Sequence, residues 1–397
     1  MTLQLSERVQ RIKPSPTLAV AARASRLKAE GKNIINLSVG EPDFDTPEYI
    51  KEGAIHAIRD GFTKYTAVDG IASLKQAIVK KFSTENHLHY EPAQILVSCG
   101  AKQGIFNLMQ ALLNTGDEVI IPTPYWVSYP DIVLLADATP VLISSNFTQH
   151  FKITPEQLEA AITPKTRLFI LNSPSNPSGK AYSAEELKAL AAVLIRHPQI
   201  TILSDDIYEH IVWKALPFTN ILNVCPELYN RTVVFNGVSK AYAMTGWRIG
   251  YAAGPAPFIK AMTNIQSQST SNPNSIAQVA AQVALEGDQS CVKTMVKAYQ
   301  ERHQLLFDGF SAIPGVNIHP SDGTFYSFIH IQNIINQLPH IHSDIDFAEL
   351  LLNDAGLAVI PGSAFGDPEC IRLSFATSIE DLKQALIRFK KIVMAIN

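Results

Sequence analysis

I-L-V-S-C-G-A-K-Q-G-I-F-N-L-M-Q-A-L-L, from Ile95 to Leu113, decides the fold. It opens as a short apolar run (Ile95–Ser98), breaks at Cys99-Gly100-Ala101, and resumes from Lys102 with a helical period. The unit recurs down the chain. Further apolar runs stand at Glu118–Ile121, Thr139–Leu142, Leu168–Leu171, Thr201–Ser204, Val233–Phe235 and Ile249–Ala253, with helices such as Ala184–His197 between them. Short, nearly continuous apolar strands alternating with helices predict an α/β fold with a mostly parallel seven-stranded sheet covered on both faces. The flanks read differently. Residues 1–47 give a basic arm and a turn-rich V-G-E-P-D-F-D-T-P, and residues 291–397 open on a long helical stretch, followed by a strand-like Gly323–Ile329 and a closing helix from Ile379. The expectation is a large domain over 48–290 and a small α/β domain built from both chain ends, with a ligand cleft between them.

Composition narrows the setting. The chain has 397 residues, 46% of them apolar, which suffices for a large core split into more than one domain. A formal charge of -3 gives no basic footprint for nucleic acid. Cys99, Cys225, Cys291 and Cys370 are scattered and form no C-x-x-C, so they read as free thiols of a reducing compartment. The first residues carry no signal-peptide core, and no run approaches the length of a membrane span. A soluble, cytoplasmic protein is expected.

In open α/β sheets ligands bind beyond the carboxyl ends of the strands, so the residues following each strand carry the chemistry. After Ile95–Ser98, Gly100, Ala101 and Lys102 open a helix whose N-terminus suits a phosphate. No G-x-G-x-x-G or G-K-[ST] occurs, so neither a dinucleotide site nor a P-loop is supported. After Glu118–Ile121 comes Trp126, able to stack on a flat ring. After Leu168–Leu171 comes N-S-P-S-N-P-S-G with Asn176, an amide donor in a loop that its two X-Pro steps predict to be extended. After Thr201–Ser204 comes Asp205, which could pair with a protonated pyridine nitrogen, and Tyr208, a donor to a phenolate. After Thr232–Phe235 comes Lys240, eight residues ahead of Arg248. Desolvation there favours the free amine that forms an imine with an aldehyde, and the arginine offers a fork for phosphate. Each residue has a plainer alternative: a surface lysine, a tight turn, an interdomain aromatic, turn chemistry, a helix N-cap. Five of the strand ends together match pyridoxal phosphate part by part.

The motifs S-K-A-Y-A-M-T-G-W-R-I-G-Y and N-S-P-S-N-P-S-G, with K-P-S-P-T near the start and I-R-L-S-F-A-T-S near the end, resemble the fold-type I, class I/II pyridoxal-phosphate aminotransferases. The likeness is to the bacterial gamma subgroup of aspartate aminotransferases, some of which also use prephenate. It implies that Lys240 holds the cofactor covalently and shuttles a proton. Asp205 would serve the ring nitrogen, Tyr208 and Asn176 the phenolate, and Trp126 the ring face. Gly100, Ala101, Lys102, Ser239 and Arg248 would serve the phosphate. Tyr65 would reach the phosphate of a partner subunit, which implies a homodimer with shared sites. Arg372 would clamp the substrate α-carboxylate and Gly40 would close over it. Ser267 stands where other aspartate aminotransferases carry a partner-borne arginine, so Lys102 with Thr17 would take the second carboxylate. Lys13 matches a residue tied to prephenate use, although a solvated basic arm explains it equally.

The expected reaction is ping-pong transfer of an amino group from L-aspartate to 2-oxoglutarate, with amino acids and 2-oxo acids as its small-molecule partners. An aromatic or alanine aminotransferase or a C–S lyase on the same fold is the nearest rival. A transcription regulator built on this fold would need a helix-turn-helix ahead of it, and the arm starts by about residue 13. A metalloenzyme would have to use His340-Ile-His342 or His87-Leu-His89, pairs with no third ligand at a telling spacing.

Overall fold

A computed structural model describes residues 4–213 and 218–394. Its strands, in chain order, are β1 (Ile35–Asn36), β2 (Ile95–Ser98), β3 (Glu118–Pro122), β4 (Thr139–Ile143), β5 (Thr166–Asn172), β6 (Thr201–Asp205), β7 (Thr232–Gly237), β8 (Gly250–Ala253), β9 (Asn317–Ile318), β10 (Tyr326–His330), β11 (Leu357–Ala358), β12 (Ile360–Pro361) and β13 (Cys370–Ser374). Seven of them form the main sheet in the order β2-β8-β7-β6-β5-β3-β4. β3 through β7 run parallel to one another, and β8 runs antiparallel to both its neighbours. The sheet is therefore mixed, mostly parallel as expected, with the strand read at Ile249–Ala253 reversed and starting one residue later.

The pleat explains why these runs are apolar throughout. Alternate residues face opposite sides, so Ile95, Val97, Phe169, Leu171 and Val234 join one core while Leu96, Leu168, Ile170, Val233 and Phe235 join the other. Each such side chain contributes roughly 1.5–3 kcal/mol by leaving water. The helix Ala101–Leu112 adds Ile105, Leu108 and Met109 to the second core from its inner face. The helix Ala184–Arg196 begins at a capping box in which Ser183 and Glu186 satisfy each other's backbone N–H groups, and it buries Leu187, Leu190 and Leu194 in the first core.

A third core gathers the remaining elements. β12-β13-β10-β9 form an antiparallel sheet, backed by the helices Ser290–Ser311, Asp344–Asp354 and Ile379–Met394. β1 pairs with β11, Ile35 opposite Leu357, so residues from both ends of the chain share this core. The strand read at Gly323–Ile329 starts only at Tyr326, because Thr324 takes φ +67° and Gly323 makes an isolated bridge to Val212. No helix among the described residues is long and apolar enough to cross a membrane.

Candidate active site

Register sets the floor of the site. Asn172, Asp205 and Phe235 lie side by side at the carboxyl ends of β5, β6 and β7. Beyond them opens a cavity of about 390 Å³. Twelve residues singled out from the sequence line it: Thr17, Gly40, Ala101, Lys102, Trp126, Asn176, Asp205, Tyr208, Ser239, Lys240, Arg248 and Arg372. Gly100 lies immediately under Arg248. Lys13 and Tyr65 do not line it. Lys13 donates its backbone N–H to Asp131 (3.3 Å) on the exposed arm, and the Tyr65 side chain is 92% exposed. Ser267 ends the helix Ala256–Ser267, its hydroxyl on the Asn264 carbonyl at 2.7 Å.

Lys240 follows β7 and donates from Nζ to the Gly40 carbonyl at 2.6 Å. Desolvation, with Arg372 nearby, pushes its pKa down to about 8 against the opposing pull of Glu41. The shift enlarges the unprotonated fraction near neutrality relative to an ordinary lysine.

Asp205 ends β6 and is buried. Tyr129 donates to its Oδ2 at 2.6 Å and the Ile207 N–H to its Oδ1 at 3.3 Å. Burial pushes the carboxyl up to about 6, while these two donors and Lys240 pull the other way. A cation placed against it would complete its ionisation. Tyr129 escaped the sequence reading: it follows Trp126 by three residues and looks like any core tyrosine. Tyr326 escaped it too. Its hydroxyl lies 2.8 Å from that of Tyr208.

Arg372, on β13, is 2% exposed. Its Nη1 donates to Asn176 Oδ1 (3.2 Å) and its Nη2 to the Ser38 carbonyl (2.6 Å), and its Nε has no hydrogen-bond partner. The guanidinium lies 4.5 Å from the ring centroid of Tyr326 and 5.0 Å from that of Phe365. Among the described residues it has no acidic partner. Lys102, also lining the cavity, sits over Trp126, 4.9 Å from the ring centroid, its pKa lowered by burial and by Arg248. A cavity holding Lys102, Lys240, Arg248 and Arg372 against Asp205 and Glu41 is built for anions.

One expectation about the loops fails. Ser173–Pro174 and Asn176–Pro177 are both cis. The loop turns back on itself, with the Gly179 N–H on the Ser175 carbonyl at 2.8 Å, rather than running extended. The turn brings the Asn176 side chain to Arg372. Among the described residues one trio could approach a metal ion, Glu85, Glu209 and His210, and the Lys81 ammonium already lies against both carboxylates.

The donor set fits pyridoxal phosphate. Gly100 caps the helix Ala101–Leu112 at φ +81° with no side chain, leaving the Ala101 and Lys102 N–H groups to an anion. A Cβ there would lie 2.5 Å from Arg248 Nη2, so only glycine lets the arginine and the helix end converge on one group. Asp205 is available to a pyridinium, Trp126 offers a flat face, and Lys240 supplies the amine.

Comparison with known proteins agrees. The family model described as aminotransferase class I and II matches residues 32–389. The aspartate/prephenate aminotransferase of Nitrosomonas europaea is 59% identical over 98% of this chain and 100% of its own. The crystal structure of the aspartate aminotransferase from Rhizobium meliloti superposes with a TM-score of 0.95 at 50% identity, covering 99% of each chain. That of Thermus thermophilus with maleate gives 0.93 at 42% identity, covering 98% of this chain and 100% of the other. Relatives matched end to end, and a cavity whose donor set suits the cofactor, lead to one conclusion: the chain belongs to the aminotransferase class I and II family and is a pyridoxal-phosphate-dependent aminotransferase.

Proposed function

We propose that the protein moves the amino group of L-aspartate to 2-oxoglutarate, giving oxaloacetate and L-glutamate, and that prephenate serves as a further oxo acid. The observation that carries the reading is Arg372. A buried guanidinium without an acidic partner costs several kcal/mol of stability, a cost that an anionic substrate offsets on binding. Arg372 takes the α-carboxylate in a bidentate fork. Lys102 and Thr17, which line the same cavity, take a second carboxylate, which selects a dicarboxylic amino acid. The names of the relatives, aspartate and prephenate aminotransferases, point the same way.

Bound pyridoxal phosphate supplies an electron sink conjugated to the substrate Cα. The rest falls to the chain. Lys240 holds the cofactor and, once released, takes the Cα proton on Nζ. Its lowered pKa keeps that nitrogen basic while leaving more of it unprotonated near neutrality than in an ordinary lysine, and such bases contribute roughly 10²–10⁴-fold. Asp205, held by Tyr129, keeps the ring nitrogen protonated. Tyr208 and Asn176 address the ring oxygen, and Trp126 covers one ring face. Gly100, Ala101, Ser239 and Arg248 hold the phosphate, and Gly40 gives its carbonyl to Lys240. Arg372 and Asn176, bonded to each other, set the Cα–H upright over the ring.

The same proposal extends to a homodimer in which Tyr65 completes the partner's phosphate site, a role supported by an aromatic ring left almost wholly in solvent. Lys13 on the arm would serve prephenate. A domain limit at 290/291 is supported by the change of core along the helix Ser290–Ser311, where Val292 packs with the main-sheet cluster and Met295 with the C-terminal one, and a limit at 47/48 by Leu37 in the C-terminal cluster and Ile50 in the main-sheet one. A cytoplasmic setting is supported by four free cysteines.

The test is a half-reaction. Purified holoenzyme is mixed with aspartate, glutamate, alanine or phenylalanine without an oxo acid, and the cofactor's visible band is followed; the aminated form is then returned with oxaloacetate or prephenate. Aspartate and glutamate are expected to convert the band at far lower concentration than alanine or phenylalanine. Equal conversion by alanine would sink the dicarboxylate reading. Lys240→Ala is expected to bind the cofactor noncovalently and to lose at least ~10²–10⁴-fold in turnover. Normal turnover in that variant would refute the assignment of Lys240.

A further inference from the structure

Tyr326 stands between two anchors of the site and has been given no part in it. It begins β10, is 1% exposed, and lines the cavity. Its hydroxyl lies 2.8 Å from that of Tyr208, itself 3% exposed, and either oxygen can donate. Its ring face carries the Arg372 guanidinium at 4.5 Å. Its hydroxyl also crowds the backbone of Gly40, where a Cβ would come within 2.6 Å of it, and the Gly40 carbonyl receives Lys240 Nζ at 2.6 Å. One phenol thus touches the residues proposed for the ring oxygen, the α-carboxylate and the lysine.

We propose that Tyr326 is a positioning residue that couples the Tyr208 hydroxyl to the Arg372 guanidinium. The proposal rests on the placement of Tyr208 beside the cofactor's ring oxygen. A phenol has one proton to give. When Tyr208 gives its proton to the ring oxygen, its own oxygen is left to accept from Tyr326. The chain Tyr326→Tyr208→ring oxygen is then cooperative, each bond polarising the next. With the cofactor bound, negative charge on that oxygen would favour the protonated form of the nearby Lys240 nitrogen. A stronger Tyr208 donor drains the charge and lets the proton leave at lower pH. At its other face the Tyr326 ring fixes the plane of Arg372, and with it the angle at which a carboxylate is received.

The two contacts separate by substitution. In the holoenzyme, Tyr326→Phe removes the hydroxyl and keeps the ring. The pH at which the visible band titrates is expected to rise by roughly half a unit, in the direction of Tyr208→Phe but by less. Added to Tyr208→Phe, the same change is expected to move it no further. The Kd of maleate, an unreactive dicarboxylate, stays within about twofold of the parent, because the ring under Arg372 is retained. Tyr326→Leu removes the ring as well and is expected to weaken maleate by about tenfold.

A Tyr326→Phe protein that titrates with the parent overturns the hydroxyl coupling, as does an equal shift with and without the Tyr208 hydroxyl. A Tyr326→Leu protein that binds maleate like the parent overturns the coupling to Arg372. If Tyr208→Phe itself titrates with the parent, the placement of Tyr208 fails and the proposal goes with it, which separates that failure from one at Tyr326. If the Leu variant does not fold, the Phe variants decide the hydroxyl coupling alone.

Discussion

Asp205 and Asp206 are neighbours in sequence, both buried, and belong to different regions. Asp205 faces the cavity, where Lys102, Arg248 and Arg372 have no carboxylate partner among the described residues. Asp206 faces the interior, where the carboxylates already have hydrogen-bond or ionic partners. It accepts from Ser204 Oγ (2.7 Å) and Asn220 Nδ2 (2.5 Å). Next to it Glu209 pairs with Lys81 and accepts from Asn86 Nδ2 (2.6 Å) and Asn236 Nδ2 (2.7 Å). Burial alone would raise Glu209, but Lys81 and His210 outweigh it and hold the carboxyl below its ordinary value. Burial and the Glu209 charge push Asp206 up to about 8. One region is polar and satisfied, so it serves the fold. The other is polar and unsatisfied, so it waits for a ligand. The two aspartates are buried alike; what separates structure from function is whether their partners are already present.

The largest expected effect breaks the satisfied region. Lys81→Met leaves Glu209 buried without its cation, and unfolding in denaturant should register a loss of about 3–5 kcal/mol. A loss below ~1 kcal/mol would remove the distinction between the two regions. The matched change in the unsatisfied region is Arg372→Leu. Here kcat/KM for aspartate should fall by roughly 10²–10³-fold, while the apoenzyme keeps or gains thermal stability because an unpaired buried charge is gone. An apoenzyme as damaged as Lys81→Met would mean that Arg372 is structural.

A pH series sharpens the comparison at Asp206. Its folded pKa, about 8, lies above the ordinary 3.8, so the folded state holds a proton that the unfolded state has lost across that window. The stability this proton contributes is complete below the unfolded pKa and is lost as pH rises through the folded one. Against Asp206→Asn, the parent should therefore lose up to ~1.4 kcal/mol of stability between pH 6 and pH 7, inside that window. Parallel stability curves would place an ionised Asp206 in the network.

The sequence made the sheet legible because strands buried on both faces must be apolar at every position, a signal that survives without neighbours. It did not make the reversal of β8 legible, since an apolar run carries no direction. The site residues at strand ends were readable for the same topological reason: Asp205 and Lys240 come where a buried strand stops. Tyr129 and Tyr326 were not, because a tyrosine on a helix or strand reads as core until its hydroxyl is placed. Asn176 was read for its amide, but the cis turns that carry it to Arg372 leave no mark beyond the prolines themselves. The satisfied network was invisible throughout: Lys81 and Glu209 are 128 positions apart, and neither stands out from an ordinary surface charge.

The smallest expected effect tests whether the unsatisfied region selects its substrate as well as binding it. Lys102 opens the helix behind Gly100 and leans on Trp126. Part of its charge is already engaged by that ring, and Arg248 opposes it, so its pull on a second carboxylate is modest. Lys102→Ala should lower kcat/KM for aspartate by about tenfold and leave alanine within about twofold. If both substrates suffer equally and the apoenzyme binds pyridoxal phosphate more weakly, Lys102 serves the phosphate, and the second carboxylate must be held elsewhere. If neither suffers, a cation facing the cavity has no anion to meet, and an unpartnered charge would no longer suffice to tell a binding site from the fold around it.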